Sequence, residues 1–305
     1  NQRPIAGKPA PTKKRAFSAV LAGAAGLFML HPAVAAIPIQ HWTQPSGAQV
    51  WLVESPVIPM LDVQVDFDAG SRRDPAEQAG LASVTALMAG KGVAARDGQP
   101  ALDENALGEA WADLGAAFGG SAGNDRMSFQ LRTLTDPDLL QKSVALAARE
   151  LGEPAWPDDV WQRERQRLSA AIKESRTRPG TIAGLAYSAA VYGSHPYGYE
   201  TTPESLARIG VADMRARYAD FIRPCRAKVS LVGAVTRTQA DQLVTQLLSR
   251  LPQGAACSPL PAVAEVAPLT APKDERIPFE SAQAHVLIGQ PGYKRTDSDF
   301  FPLLV

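Results

Sequence analysis

Apolar and polar residues alternate along this chain with two different periods, which fall in separate segments. Apolar residues at every second position, many of them β-branched or aromatic, predict β-strands at 49–54, 61–67, 127–134 and 227–232. Apolar residues at every third or fourth position predict helices. These helices are expected at 81–88, 103–114, 138–151, 158–177, 181–192, 203–209, 212–222 and 237–250. Strands and helices are mixed without strict strand–helix–strand alternation, so the predicted fold class is α+β.

Prolines divide the chain after the last of these helices. Residues 252–273 contain five prolines and few helix signals, which is typical of a linker. Beyond it, 275–280 and 284–288 are predicted strands, and Asp297-Ser298-Asp299 predicts a helix start. A piece of roughly 30 residues cannot bury a core. We therefore expect a first domain at 37–251 and, at 274–305, the start of a second domain that continues past this sequence.

Residues 1–36 have the three-part layout of a secretory signal peptide. Basic residues come first, an apolar run follows at 16–30, and Ala33-Val34-Ala35 offers a small-residue cleavage site. We expect cleavage after Ala35 or Ala36 and a periplasmic mature protein. An uncleaved membrane anchor is the alternative. The apolar run is shorter than the ~20 residues of a membrane span, so no stable membrane span is expected.

Charge and cysteine content exclude some classes of function. Lys plus Arg and Asp plus Glu both total 31, so the net charge is zero. A nucleic-acid partner would require a basic surface, and none is expected. The two cysteines, Cys225 and Cys257, form no Cys-Xaa-Xaa-Cys motif or Cys/His cluster that would bind zinc. They are expected to be unpaired thiols, with a disulfide as the alternative in an oxidising compartment.

The segment 69–92, AGSRRDPAEQAGLASVTALMAGKG, resembles the opening of the pitrilysin/insulinase zinc-peptidase family, which includes the mitochondrial processing peptidases. Active members continue the helix as His-Xaa-Xaa-Glu-His. Two His four residues apart on one helix face grip Zn²⁺, and the Glu takes a proton from the metal-bound water. The matching positions here are Ser83, Ala86 and Leu87, so the resemblance implies a member without the metal or base groups.

The family's third zinc ligand is a glutamate further along the chain. Glu164 lies 77 residues after Leu87, at the family's spacing, and supports the alignment. One carboxylate does not hold zinc, so no cofactor is expected in this chain. Because Arg163, Arg165 and Arg167 surround it, Glu164 is interpreted as a solvated charge on a polar helix, with a retained ligand position as the alternative.

Further motifs follow the family in order, and the resemblance covers roughly 44–305. They are Asp125-Arg126-Met127-Ser128-Phe129, the helix around Glu164, His195-Pro196-Tyr197-Gly198, and Thr202-Pro203-Glu204-Ser205-Leu206. The resemblance implies a two-layer domain with a mostly antiparallel sheet and helices packed on one face, repeated in a second domain. It also implies that His195 belongs to a structural loop and is not a catalytic base.

The strand 116–123, AAFGGSAG, corresponds to the edge strand that receives an extended peptide in active members. Its candidate peptide-binding residues are Phe118, Gly119, Gly120 and Ser121. The two glycines would let a peptide backbone approach closely. Alternatively, they mark a bulge.

Some family members work as heterodimers, in which one chain holds zinc and the other closes the chamber and helps to hold the substrate. The resemblance therefore implies a non-catalytic periplasmic subunit that supports peptide cleavage by a zinc-carrying homologous partner. One alternative is a structural or binding protein of the same fold, like the mitochondrial respiratory-complex core subunits. Another is a metalloendopeptidase with a divergent site, although 37–305 offers no cluster of His, Cys and carboxylates at ligand spacing.

Overall fold

A computed structural model of the protein describes residues 38–254, 257–290 and 292–304. The predicted signal peptide and its cleavage site lie outside these residues. Among the helices in the described ranges, none is long and apolar enough to cross a membrane.

Six strands form one open sheet in the order β1-β2-β6-β3-β5-β4. All neighbours pair antiparallel except β2 and β6, which are parallel. The strands are β1 (Gln40–Thr43), β2 (Gln49–Glu54), β3 (Met60–Phe67), β4 (Ala117–Ala122), β5 (Met127–Leu134) and β6 (Lys228–Gly233). β1 was not predicted, because four residues are too few to show a period.

The part of the chain that the structure describes contains nine helices. They are α1 (Leu81–Ala89), α2 (Glu104–Asp113), α3 (Pro137–Gly152), α4 (Asp158–Ser175), α5 (Pro179–Tyr192), α6 (Pro203–Ala207), α7 (Val211–Phe221), α8 (Arg237–Leu247) and α9 (Phe300–Leu303). Asp103 caps α2, and its side chain accepts from Ala106 N–H over 2.8 Å. Pro179 does not end α4. It opens α5, where its missing N–H costs nothing.

The helices cover one face of the sheet, and the core lies between the two layers. Along β3, Leu61, Val63 and Val65 are buried beneath the helices, while Asp62 and Gln64 face the other side. This alternation follows from the two-residue period of a strand. The predicted α+β class, with a mostly antiparallel sheet and helices on one face, is confirmed.

The strands predicted at 275–280 and 284–288 do not form, so that prediction is wrong. A strand needs a neighbour to pair with its backbone groups. The described residues provide none here. Both segments instead run beside α5, where Ile277, Phe279 and Leu287 line a cleft with Ile182 and Tyr187.

Cys225 and Cys257 form a disulfide, with Cα atoms 5.8 Å apart. The expectation of unpaired thiols was therefore wrong. Sequence spacing gave no indication, because the bond depends on the chain after α8 returning to the turn that precedes β6. The disulfide ties residue 257 to the sheet.

Candidate functional site

Helix α1, which carries the three degenerate ligand positions, is fixed at its start by a buried carboxylate. Asp74 accepts hydrogen bonds from the N–H groups of Gly80 and Ala82, each over 3.1 Å. The Oδ1 atom of Asp74 also lies 3.1 Å from Arg217 Nη2. Gly80 precedes the helix with φ +101°, and a Cβ there would lie 2.7 Å from Thr201. Only glycine fits both conditions.

The three ligand positions differ in exposure. Ser83 is exposed, Leu87 is half-buried, and Ala86 is buried against the sheet. A serine hydroxyl becomes a nucleophile only beside a base. No described histidine or carboxylate hydrogen-bonds Ser83, so this face of α1 carries no activated group.

Glu164 is buried, at 6% exposure, which corrects its interpretation as a solvated charge. Its carboxylate accepts from Arg167 Nε over 2.8 Å and lies 3.6 Å from Lys91 Nζ. Lys91 also pairs with Glu104, whose second oxygen lies 3.0 Å from Arg163 Nη2. Glu164 therefore belongs to an ion-pair cluster of three cations and two carboxylates, in which Lys91 bridges the two carboxylates.

Lys91 follows Leu87 by four residues and lies in the turn just after α1. Burial alone would raise the pKa of Glu164. The hydrogen bond from Arg167 and the charges of Lys91 and Arg167 nevertheless lower that pKa. The carboxylate is thus ionised and already neutralised by protein cations. Ser83, Leu87 and this occupied Glu164 do not fit a zinc ion, and in the described ranges no three His, Cys, Asp or Glu side chains are grouped to hold a metal.

The predicted peptide-binding strand lies at the edge of the sheet, as β4. Its pairing with β5 is regular through Gly119 and Gly120, so the bulge alternative is wrong. A Cβ on Gly120 would lie 2.8 Å from the Phe129 ring and 3.2 Å from the Ala86 carbonyl oxygen. Gly119 meets nothing within 4 Å. Gly120 therefore lets α1 approach the sheet, and Gly119 leaves the opposite face open.

The backbone groups at the open edge can be assigned from the hairpin that joins β4 and β5. Gly123 N–H donates to the Arg126 carbonyl over 2.9 Å, which makes them a hydrogen-bonded pair. Such pairs alternate along antiparallel strands. The outward-pointing backbone groups are therefore those of Phe118, Gly120 and Ala122. Gly119 and Ser121 direct theirs to β5.

The loop at His195 has a structural role in this fold. Its Nδ1 accepts from Tyr197 N–H over 3.1 Å, so its Nε2 carries the proton and donates to the Ala264 carbonyl over 2.8 Å. The Tyr197 hydroxyl donates to Asp125, which also pairs with Arg72 Nη1 at 3.0 Å. The motifs that carry the family resemblance therefore meet in space and hold one another.

Comparisons with known proteins agree with this geometry. A family model described as the peptidase M16 inactive domain matches residues 208–305. The crystal structure of a peptidase M16 inactive domain from Pseudomonas fluorescens is 30% identical, with a TM-score of 0.68 over 75% of this chain and 54% of that one. Over residues 208–305 in sequence, and over three quarters of the chain in fold, the protein resembles the M16 peptidase family. No curated protein matches it.

Two more distant M16-like structures show the fold alone. Pitrilysin is 20% identical with a TM-score of 0.60, covering 75% of this chain and 24% of pitrilysin. The first half of the periplasmic protease PqqL from Escherichia coli is 15% identical with a TM-score of 0.62, covering 75% and 49% of the two chains. The chain spans about half the length of the Pseudomonas fluorescens protein that it matches.

One buried carboxyl near the end of α1, that of Glu150, forms no ion pair with any described residue. Trp111 Nε1 donates to Glu150 Oε2 over 2.8 Å, and a Cβ on Gly90 would lie 3.3 Å from Glu150 Oε1. Burial raises the pKa of Glu150 to about 7, and the hydrogen bond from Trp111 offsets only part of that effect. This group was not predicted, because nothing in the local sequence distinguishes Glu150 from an exposed helix glutamate.

Glu150→Gln should stabilise the protein at pH 8 but not at pH 4.5. The folded pKa of about 7 exceeds the ordinary 4.5, so wild-type stability falls as the pH rises through this window. At ~1.4 kcal/mol per pKa unit, the difference between 4.5 and about 7 limits the loss to about 3.5 kcal/mol. Glutamine keeps an acceptor for Trp111 and does not ionise. The measurement is urea unfolding of both proteins between pH 4.5 and 8.

The matched control is Glu109→Gln, which changes an exposed carboxylate on α2. Its stability difference from wild type should stay flat across the same pH range. A Glu150→Gln difference that is equally flat would contradict the raised pKa.

Proposed function

We propose that this chain is a non-catalytic subunit of a periplasmic M16 peptidase, which supports cleavage by a zinc-carrying homologous partner. The observation that carries the proposal is the ion pairing of Glu164. A carboxylate at the family's ligand position is kept, but Lys91 and Arg167 neutralise it inside an otherwise complete domain. The described domain therefore does not depend on a metal at this position, and in this proposal the groups for peptide hydrolysis come from the zinc-carrying partner.

The role proposed for the chain is to hold peptide. β4 pairs on one side only among the described strands, and its free backbone groups at Phe118, Gly120 and Ala122 match an extended peptide added as a further strand. Such pairing is independent of sequence, since it uses main-chain groups. It positions a substrate, and positioning contributes to catalysis without chemistry by the holder.

The periplasmic location is part of the same proposal. The signal-like N-terminal sequence supports it. The Cys225–Cys257 disulfide supports it as well, because structural disulfides persist in oxidising compartments.

Peptide cleavage should appear only when the full-length protein is mixed with a zinc-carrying M16 relative from the same organism. The partner alone should cleave at least about tenfold more slowly, if its chamber requires this chain to position the peptide. Ala122→Pro removes an outward N–H and should lower the activity of the mixture. Proline is tolerated where an edge N–H points outward. Cleavage of a fluorogenic peptide library measures the effect.

Ala122→Val is the matched variant, because it adds bulk at the same position and keeps the N–H. It should retain the activity that Ala122→Pro loses. If no zinc-carrying relative is activated by this chain, the protein is a structural or binding member of the family. If Ala122→Pro and Ala122→Val lower the cleavage activity equally, β4 is not the peptide-binding strand.

A further inference from the structure

A cleft of about 480 Å³ lies between the start of β6 and the segment that follows the disulfide. Its charged lining consists of four cations and one carboxylate, namely Arg72, Arg73, Arg226, Lys228 and Asp68. Leu260 to Val263 form its opposite wall. This wall is held in place because Arg73 Nη1 donates to the Pro261 carbonyl over 3.0 Å and Cys257 is bonded to Cys225.

The single carboxylate in the cleft is already engaged. Arg73 Nη2 and Arg72 Nη2 lie 2.6 Å and 2.9 Å from Asp68. Burial opposes ionisation, but these two hydrogen bonds lower the pKa of Asp68 to about 2. Asp68 is therefore charged at neutral pH, and the cleft keeps three positive charges in excess.

Arg226 and Lys228 supply the unused part of this charge. Lys228 is the first residue of β6 and Arg226 ends the turn that precedes it, and both side chains line the cleft. Asp66 lies opposite Lys228 in the sheet register, but it is held by Arg126 Nη1 at 2.9 Å and Ser128 Oγ at 2.6 Å. The ion pairs around the cleft thus use Arg72, Arg73 and Arg126, and leave Arg226 and Lys228 out.

The Arg226 guanidinium also carries an uncompensated burial cost. Its Nε–H is buried and has no acceptor among the described residues. A bound oxyanion would offset this cost at the same guanidinium, and charge-assisted hydrogen bonds to arginine are among the stronger ones in proteins. The turn that carries Arg226 is fixed by the neighbouring disulfide at Cys225, so the group is held ready and is not free to reorient with a loop.

The residues beside the cleft favour a ligand that has both a carboxylate and an apolar part. A second hollow, of about 640 Å³, shares Arg72, Arg226 and Lys228 with the cleft and continues over the open sheet face. It is lined there by Trp51, Val232 and Ile39, and the last two are 48% and 66% exposed. Inorganic phosphate would use only the cationic end. A peptide carboxylate with neighbouring apolar side chains would use both.

We infer that this cleft binds the carboxylate of a peptide, with Arg226 and Lys228 as the contacting groups. The inference deepens the proposed function and rests on it for the ligand being a peptide. The site is separate from β4, which binds main-chain groups. The carboxylate comes from a chain terminus or from an acidic side chain, and the experiment distinguishes the two.

Calorimetric titration of the full-length protein tests the inference with four probes. Three are peptides of about ten residues with one apolar sequence, ending in a free acid, ending in an amide, or amidated with one internal Glu. The fourth is inorganic phosphate. At least one carboxylate peptide should bind about tenfold or more tightly than the neutral amide, because one charge-assisted hydrogen bond contributes at least about 1.4 kcal/mol. Which carboxylate peptide binds identifies the source. Higher salt should weaken this binding.

Arg226→Gln should remove most of the preference for a carboxylate, and Lys228→Gln should reduce it. Arg226→Lys keeps the charge without the fork, and its affinity should fall between those of wild type and Arg226→Gln. The matched control is Arg215→Gln, an exposed arginine on α7 outside the cleft, which should bind within about twofold of wild type. Should Arg226→Gln fail to fold, Lys228→Gln and Arg226→Lys still report on the site.

Equal binding of all three peptides would overturn the inference, as would wild-type affinity in both Arg226→Gln and Lys228→Gln. Binding of phosphate alone would overturn the assignment to a peptide. These outcomes can be separated from failure of the proposed function, which is read from partner-dependent cleavage and the Ala122→Pro effect. If the partner assay succeeds and carboxylate preference is absent, only the cleft assignment fails. If carboxylate binding depends on Arg226 but no partner is activated, only the subunit role fails.

Discussion

Zinc binding should appear when Ser83→His, Ala86→Glu and Leu87→His are introduced together. Positions 83 and 87 lie four residues apart on α1, so two imidazoles there would share one face. Glu164 would supply the third protein ligand, the number found in catalytic zinc sites. The wild-type chain should retain no zinc after dialysis, and the triple variant should retain about one zinc per chain. Metal analysis by mass spectrometry gives both values.

Lys91 should limit the affinity of this engineered site. Its ammonium lies 3.6 Å from the Glu164 carboxylate, where it competes with the metal for the same oxygens. Adding Lys91→Met to the triple variant should therefore tighten zinc binding by about tenfold or more, the scale by which groups around a metal tune its affinity. Glu164→Ala in the same background should weaken binding by at least as much.

A double variant without Ala86→Glu keeps the zinc test possible if the triple variant does not fold. Ala86 is buried, and a glutamate there costs stability unless it is paired. The double variant Ser83→His, Leu87→His keeps both imidazoles and Glu164, so it should bind zinc without the base. If either variant folds but binds no zinc, the assignment of positions 83, 87 and 164 to the ligand set is wrong.

The fold class and the degenerate ligand positions could be predicted from sequence, because both depend on local periodicity and residue type. Alternation along 61–67 and the helical period of 81–88 give elements that the structure contains. Glycine-rich β4 was placed at the sheet edge through the family resemblance, and it lies there. The absence of imidazoles at 83 and 87 can be read directly from residue types.

The partners of Glu164 could not be predicted in the same way. Arg167 was visible at i+3. Lys91 lies 73 residues earlier in sequence, and its contact with Glu164 depends on where α4 lies relative to the turn after α1. A lysine four residues after the second ligand position was the only available signal. The predictions of unpaired thiols and of strands at 275–280 and 284–288 were wrong for the same reason. Pairing depends on distant chain segments, and local patterns do not report it.

Arg217→Ala should cost the protein about 3–5 kcal/mol of unfolding free energy. Arg217 is buried, and its Nη2 donates to the carbonyls of Ala69 and Gly70, each over 2.9 Å. The same nitrogen lies 3.1 Å from Asp74, whose side chain is fully buried. Alanine would leave that carboxylate without a cation and the two carbonyls without a donor. Urea unfolding of the full-length protein measures the loss.

Two further variants show whether the loss comes from the uncompensated Asp74. Arg215→Ala removes an exposed arginine from the same helix and should change stability by no more than about 0.5 kcal/mol. Asp74→Asn combined with Arg217→Met should cost clearly less than the sum of the two single changes, because it removes both charges of a coupled pair. If Arg217→Ala costs less than about 1 kcal/mol, or if the double variant is additive, the pair does not anchor the loop that precedes α1. The pair sets where α1 begins, and with it the direction in which positions 83 and 87 face. We therefore expect Arg217→Ala also to abolish zinc binding in the Ser83→His, Leu87→His background.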